Sequence, residues 1–150
     1  RVEFYAFGGS APVAMDGQHK FFRLKIPSSY ISDPHLQFMS ANSLERDDVV
    51  VAISQSGTTT ALIESVKIVR KNGAKVIGIM PGETPLANIC DFPLTINVGI
   101  NNRISKPVTS RIAYTAVIDV LTMGVAQLKP EAQDHLYNIA DSQRSLKIDN

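Results

Sequence analysis

The chain has 150 residues, of which 44% are hydrophobic and 19% charged, and its formal net charge is +1. A chain of this length and composition predicts one compact domain with its own hydrophobic core. The small net charge and the lack of a long basic run argue against a nucleic-acid backbone as a direct partner of this segment. The sequence also lacks a signal peptide and an unbroken apolar run of about 20 residues, so we expect a cytoplasmic protein.

The chain opens with a strand, a glycine-containing turn and a helix. Residues 2–7 read as a strand that runs into Gly8, Gly9 and Ser10. The following helix has one predicted apolar face, formed by Ala14, Met15, Gln18, Phe21 and Phe22. Paired glycines permit a tight turn or the close approach of a ligand, and Ser10 could cap the helix. The Gly-x-Gly-x-x-Gly fingerprint is incomplete, which argues against a nicotinamide dinucleotide.

A second, shorter unit follows. Residues 26–30 contain Pro27, and a strand with an internal proline is expected at the edge of a sheet. Asp33 and Pro34 then open a helix that we expect to reach Met39.

The central feature of the sequence is a buried strand that ends in a hydroxyl-rich turn. Five apolar residues, 49–53, predict a strand buried on both faces. The turn 54–59 reads Ser-Gln-Ser-Gly-Thr-Thr, and helical periodicity begins at Thr60. One hydroxyl is enough to cap a helix, whereas this turn holds four within six residues. We therefore favour a phosphate cradle over a plain cap. The turn has no lysine, so it is not a Walker loop.

The rest of the chain completes an alternating pattern. Strands are predicted at 75–79 and 92–98, with a short helix at 84–89 between them. Cys90, the single cysteine, is expected to be a buried apolar residue. Residues 99–109 are predicted to form a loop before a very apolar helix, 112–128. Five strands that alternate with helices indicate an α/β three-layer sandwich around a parallel sheet.

The last predicted helix carries a narrow apolar seam that includes Leu136, Ile139 and Leu146. This seam could pack on its own domain or on a second subunit, and the spacing does not decide between them. Together with the apolar helix 112–128 it offers more hydrophobic surface than one small sheet needs, so we expect a dimer.

The turns at 8–10 and 54–59 resemble those of the sugar isomerase (SIS) family, whose second motif reads Ser-x-Ser-Gly-x-Thr. The segments 73–79 and 84–87 also match this family, although Thr84 replaces the family's serine. The likeness spans residues 2–98. Beyond that span, residues 110–113 and 118–121 are similar to the last helix of RpiR-type transcription regulators. Within it, residues 14–23 and 33–35 are similar to the hex-regulon repressors of that group.

The resemblance implies a flavodoxin-like, five-stranded sheet, a homodimer or higher homo-oligomer, and a phosphosugar effector. For hex-regulon repressors that effector is 2-keto-3-deoxy-6-phosphogluconate, held by two serines that match Ser10 and Ser54. In the wider family the contacts to phosphate carry over to Ser56 and Thr59. Gly9 and Gln55 complete the expected site, with no metal or cofactor. An amino-terminal helix-turn-helix domain, absent from these 150 residues, would bind DNA.

The alternative is a sugar-phosphate aldose–ketose isomerase, which needs a base beside the sugar. The candidate bases are His19, His35, Glu64 and Glu83. No acid–base pair stands out among them: His19 and Glu64 fit the polar sides of their helices, and Glu83 could face the pocket or lie in an ordinary surface turn. A sensor needs only different affinities in two states, so we rank a sensing domain first, an isomerase second and a nucleotide-binding module third.

A phosphorylated sugar acid also carries a carboxylate, which hydroxyl groups alone do not select. The candidate readers of this charge are His19, Lys20, Arg23, Lys106 and Arg111. Of these we favour His19, because it lies closer than Arg23 to the inward side of its helix.

Overall fold

The computed structural model describes residues 1–99 and 105–144. Five parallel strands form one sheet in the order β2-β1-β3-β4-β5. The strands are β1 (Val2–Ala6), β2 (Ser28–Ile31), β3 (Val49–Ile53), β4 (Lys75–Met80) and β5 (Phe92–Thr95). The helices are α1 (Ala11–Arg23), α2 (Pro34–Ser43), α3 (Thr60–Lys71), α4 (Ser105–Leu128) and α5 (Pro130–Arg144). The predicted three-layer α/β fold with a flavodoxin-like sheet is confirmed.

The sheet is covered on both faces, which explains the unbroken apolar run of β3. On one face, Val50 and Ala52 pack in a cluster with the buried side of α3. On the other face, Val51 and Ile53 pack with residues of α1 and α4. Because both faces of β3 are buried, its sequence has no alternation of apolar and polar residues.

The buried face of α1 differs from the predicted one. The buried residues are Val13, Ala14, Gly17 and Phe21, whereas Met15 and Phe22 are exposed. Gly17 takes part because a Cβ at this position would lie 2.5 Å from Cε1 of Phe4. Only glycine lets the helix approach the sheet this closely, which places Gly17 on the buried face.

Several predicted boundaries were wrong. The strand predicted at 26–30 is Ser28–Ile31, and α2 ends at Ser43 instead of Met39. The helix predicted at 84–89 is a turn followed by a 3₁₀ segment, Ala87–Ile89. The strand β5 ends at Thr95, before the predicted 98. Helix α4 already begins at Ser105, inside the predicted loop. Pro107 suggested a loop, yet proline is tolerated in the first turn of a helix, where the N–H groups have no intrahelical partner.

Cys90 is partly buried against the core formed by α3 and the sheet. Burial raises the pKa of its thiol to about 11, so the side chain is an uncharged thiol at neutral pH. Its predicted role as a small apolar residue is in keeping with this position.

Helix α4 is apolar on two opposite sides. Tyr114 and Ile118 are buried in the core, while Ile112, Val120 and Met123 on the other side are 68%, 71% and 60% exposed. By length and composition alone, the stretch Val108–Leu128 could cross a membrane. In this fold, however, one side of α4 packs against the core, and its opposite side is exposed.

Polar and apolar contacts fix α4 and α5 to the rest of the domain. Lys20 forms ion pairs with Asp16, at 2.6 Å, and with Asp119 of α4. Ala132 of α5 is buried in a cluster with Leu24 and Ala126, and Leu136 packs against that cluster. This part of the predicted seam therefore packs on its own domain, and Leu146 lies outside the described residues.

Candidate functional site

A cavity of about 170 Å³ lies where β1 and β3 end. Its lining residues are Phe7, Gly9, Ser10, Ile53, Ser54, Gln55, Ser56, Thr59 and Leu62. The last residues of the two strands, Ala6 and Ile53, are partners in the sheet register, so the turns that follow them are neighbours. The chain runs from β1 to one side of the sheet and from β3 to the other. Such a switch point forms the usual ligand crevice in parallel α/β sheets.

The loop after β3, residues 54–59, is held by its own hydroxyl groups. The amide of Gly57 donates to Ser54 Oγ at 3.0 Å, and the amide of Thr58 donates to Ser56 Oγ at 3.2 Å. Thr59 is the N-cap residue of α3, but its side chain makes no capping hydrogen bond. Ser54 and Ser56 therefore hold the loop and do not cap α3, and the phosphate cradle stays a prediction.

Gly57 is required at its position for two reasons. Its φ angle is +65°, in the left-handed region that other residues rarely adopt. A Cβ on Gly57 would also lie 2.5 Å from Cβ of Thr84. The amide of Leu86 donates to the carbonyl of Gly57 at 3.0 Å. The segment that links β4 to β5 therefore braces the 54–59 loop from outside.

Thr84 is a positioning residue that the sequence reasoning did not identify. Its side chain is buried and donates to the carbonyl of Pro81 at 3.1 Å. It accepts a hydrogen bond from the amide of Ala87 at 3.3 Å. The motif match at 84–87 was visible in the sequence, but nothing in it linked this segment to Gly57.

The loop after β1 is open by comparison. Gly8 has a φ of +51°, and a Cβ added to Gly8 or Gly9 would meet nothing within 4 Å. Ser10 is buried and is the N-cap residue of α1, yet its hydroxyl makes no capping bond. Ser10 and Thr59 thus stand at the starts of two helices and border one cavity, with side chains that cap neither helix.

The cavity is bordered by uncharged side chains and by two helix N-termini. All of its lining residues are uncharged. Helices α1 and α3 both begin at its rim, and each helix N-terminus carries about half a unit of positive charge. The first amides of α3 also have no partner within the helix. Neutral hydroxyls combined with two helix N-termini suit a phosphate group.

His19 does not reach this cavity within one chain. It is exposed on α1 and lies about 13 Å along the helix axis from Ser10 at 1.5 Å per residue. Lys20 is engaged with Asp16 and Asp119. Arg23 and Arg111 are exposed away from the cavity lining, and the side chain of Lys106 lies outside the described part. Binding of the ligand's carboxylate by His19 stays a prediction. It would require His19 to reach the cavity of a second copy of the chain.

The candidate bases are also absent from the cavity lining. His35 and Glu83 are exposed, and Glu83 occupies a turn with a φ of +56°. Glu64 is paired with Lys67 on the outer side of α3 at 2.7 Å. Among the residues that line the cavity there is no carboxylate, histidine or lysine that could move a proton beside a carbonyl.

The sequence family described as SIS domain matches residues 1–124. The chain belongs to the SIS domain family. This SIS domain is 38% identical over 143 residues to the HTH-type transcriptional regulator HexR of Pseudomonas aeruginosa, covering 95% of this chain and 50% of that protein. It is 35% identical over 150 residues to HexR of Escherichia coli, covering 99% of this chain and 52% of that protein. The resemblance to hex-regulon repressors is therefore confirmed.

The SIS domain spans about half the length of these curated relatives. Among solved structures, it is similar to the Vibrio vulnificus NanR protein complexed with ManNAc-6P. The TM-score is 0.88 with 21% identity, and the match covers 99% of this chain and 56% of that one. At this identity the likeness concerns the fold.

Proposed function

We propose that this SIS domain senses a phosphosugar and thereby controls DNA binding by a transcription regulator of sugar catabolism. The observation that carries the proposal is the cavity between β1 and β3, where uncharged donors and two helix N-termini converge without an acid or a base. The names of the two HexR relatives, both HTH-type regulators, support the regulatory part.

In this proposal the phosphate binds in the 54–59 loop. Ser54, Ser56 and Thr59 supply hydroxyls, and Gln55 supplies an amide. From the opposite side Ser10 contributes a hydroxyl, and Gly9 lets the ligand approach the backbone. The proposed effector is 2-keto-3-deoxy-6-phosphogluconate, which the resemblance of the sequence motifs to hex-regulon repressors implies. The domain needs no cofactor and acts as a non-catalytic binding module.

DNA binding belongs to an amino-terminal helix-turn-helix domain of a longer, cytoplasmic protein. Two facts support this division: the relatives are about twice as long as this chain, and their names include the helix-turn-helix type. Self-association is the second part of the proposal. The exposed side of α4, with Ile112, Val120 and Met123, supplies an apolar surface that a second copy would cover.

Calorimetric titration with 2-keto-3-deoxy-6-phosphogluconate, glucose 6-phosphate and inorganic phosphate tests the proposed ligand. We expect saturable binding of the sugar acid with a clear preference over glucose 6-phosphate, and no turnover of aldose or ketose phosphates. Equal affinity for both sugars would reduce the proposal to a general phosphosugar sensor, and isomerisation of either would replace it with an enzyme. If His19→Ala loses the preference for the sugar acid over glucose 6-phosphate, His19 is the residue that binds its carboxylate.

A further inference from the structure

The hydroxyl of Tyr114 is buried and has no hydrogen-bond partner among the residues that the structure describes. Tyr114 belongs to α4 and is only 1% exposed. Burial raises the pKa of this side chain to about 12, so the hydroxyl keeps its proton at neutral pH. A buried donor without an acceptor destabilises the state in which it is unpaired, so a second state that offers an acceptor would be favoured by that hydrogen bond.

The position of Tyr114 connects it with the ligand cavity. Its ring packs in one cluster with Ala6 and Ile53, the last residues of β1 and β3, and with Val13 in the first turn of α1. Ile53 lines the cavity. Tyr114 itself does not line the cavity, but it shares its core cluster with Ile53, which does.

The turn after β1 is a part of the ligand site that α4 contacts. Helix α4 contacts the 3₁₀ segment Gly8–Ser10, which carries the β1 side of the site. Gly8 and Gly9 are exposed and have open space around them. This segment also has carbonyl groups, which are the acceptors that a tyrosine hydroxyl lacks here.

We propose that Tyr114 is a positioning residue that couples the effector to α4. In the ligand-bound state its hydroxyl donates to a backbone carbonyl of the Gly8–Ser10 segment, which the ligand draws towards α4. A bond that exists only in the bound state adds to the affinity for the ligand and shifts the population to that state. The signal then reaches the helix whose opposite side is the exposed apolar surface. This inference rests on the proposed function of the cavity.

Tyr114→Phe separates this role from a purely structural one, since it removes only the hydroxyl. Without ligand, we expect the melting temperature to rise, because an unpaired buried donor is gone. We expect the affinity for 2-keto-3-deoxy-6-phosphogluconate to fall about three- to tenfold, the value of one neutral hydrogen bond. The thermal stabilisation by a fixed ligand concentration should shrink accordingly.

Tyr137→Phe is the matched control, because Tyr137 is 76% exposed on α5 and should change neither quantity. Wild-type affinity in Tyr114→Phe overturns the inference while the proposed function stands. A lower melting temperature without ligand also overturns it, because the hydroxyl would then be paired in the free state. If the wild-type protein binds none of the phosphosugars, the proposed function fails, and the inference fails with it.

Discussion

The two loops that form the cavity differ in how firmly they are held. The 54–59 loop has internal hydrogen bonds from Gly57 and Thr58 and an external brace around Thr84. The Gly8–Ser10 segment has open space around both glycines. One half of the site is thus formed before the ligand arrives, which lowers the entropy cost of binding. The other half has backbone hydrogen bonds from Ser10 to Phe7 and from Ala11 to Gly8, but no packing around its glycines, and we infer that it is the half that adjusts. A sensor needs both properties, since a fully rigid site would bind without changing state.

Gly57→Ala should have the largest effect. It combines a left-handed φ of +65° with overlap against Thr84, which together cost about 2–5 kcal/mol. Gly8→Ala is the matched control because Gly8 has a φ of +51° but no neighbour within 4 Å, so it should cost only about 1–2 kcal/mol. Denaturant unfolding measures both. Equal losses would contradict the external brace.

Ser54→Ala comes next. The amide of Gly57 loses its acceptor, which costs about 1–3 kcal/mol of stability, and the phosphate loses a donor worth roughly tenfold or more in affinity. Ser65→Ala is the control, since its hydroxyl donates to the carbonyl of Ala61 inside α3 away from the cavity. Calorimetry should show weakened binding only for Ser54→Ala. Unchanged affinity there would remove the 54–59 loop from the site.

The rigid loop was predictable from sequence to the extent that its chemistry is local. The apolar run of β3 and the hydroxyls after it lie within eleven residues, so strand, turn and helix could be predicted together. The brace could not, because Thr84 and Gly57 are far apart in sequence and meet only through the pairing of β3 with β4. The exposed Met15 and Phe22 were mispredicted for the same reason: the contact of Gly17 with Phe4 is tertiary.

Thr84→Val should have an intermediate effect. It keeps the shape of the side chain but removes the acceptor for Ala87 and the donor to Pro81, two hydrogen bonds that together contribute about 1–2 kcal/mol. Affinity should fall with stability, because the loop would lose its preformed geometry. Thr60→Val, at an exposed first position of α3, controls for the loss of a hydroxyl near the loop. If Thr84→Val binds as wild type, the brace serves stability alone.

Gly9→Ala should have the smallest effect on stability and is therefore the sharpest test of the open loop. Gly9 lacks a left-handed φ and has no atom within 4 Å of an added Cβ, so the change should stay within about 0.5 kcal/mol of wild type. Gly9 nevertheless lines the cavity, where a methyl group would face a ligand that approaches the backbone. We therefore expect weaker phosphosugar binding in calorimetry at nearly unchanged unfolding, the opposite balance to Gly8→Ala. Wild-type affinity would mean that the ligand does not approach the backbone at Gly9. Ser10 would then be the only residue of the Gly8–Ser10 segment that is proposed to contact the ligand.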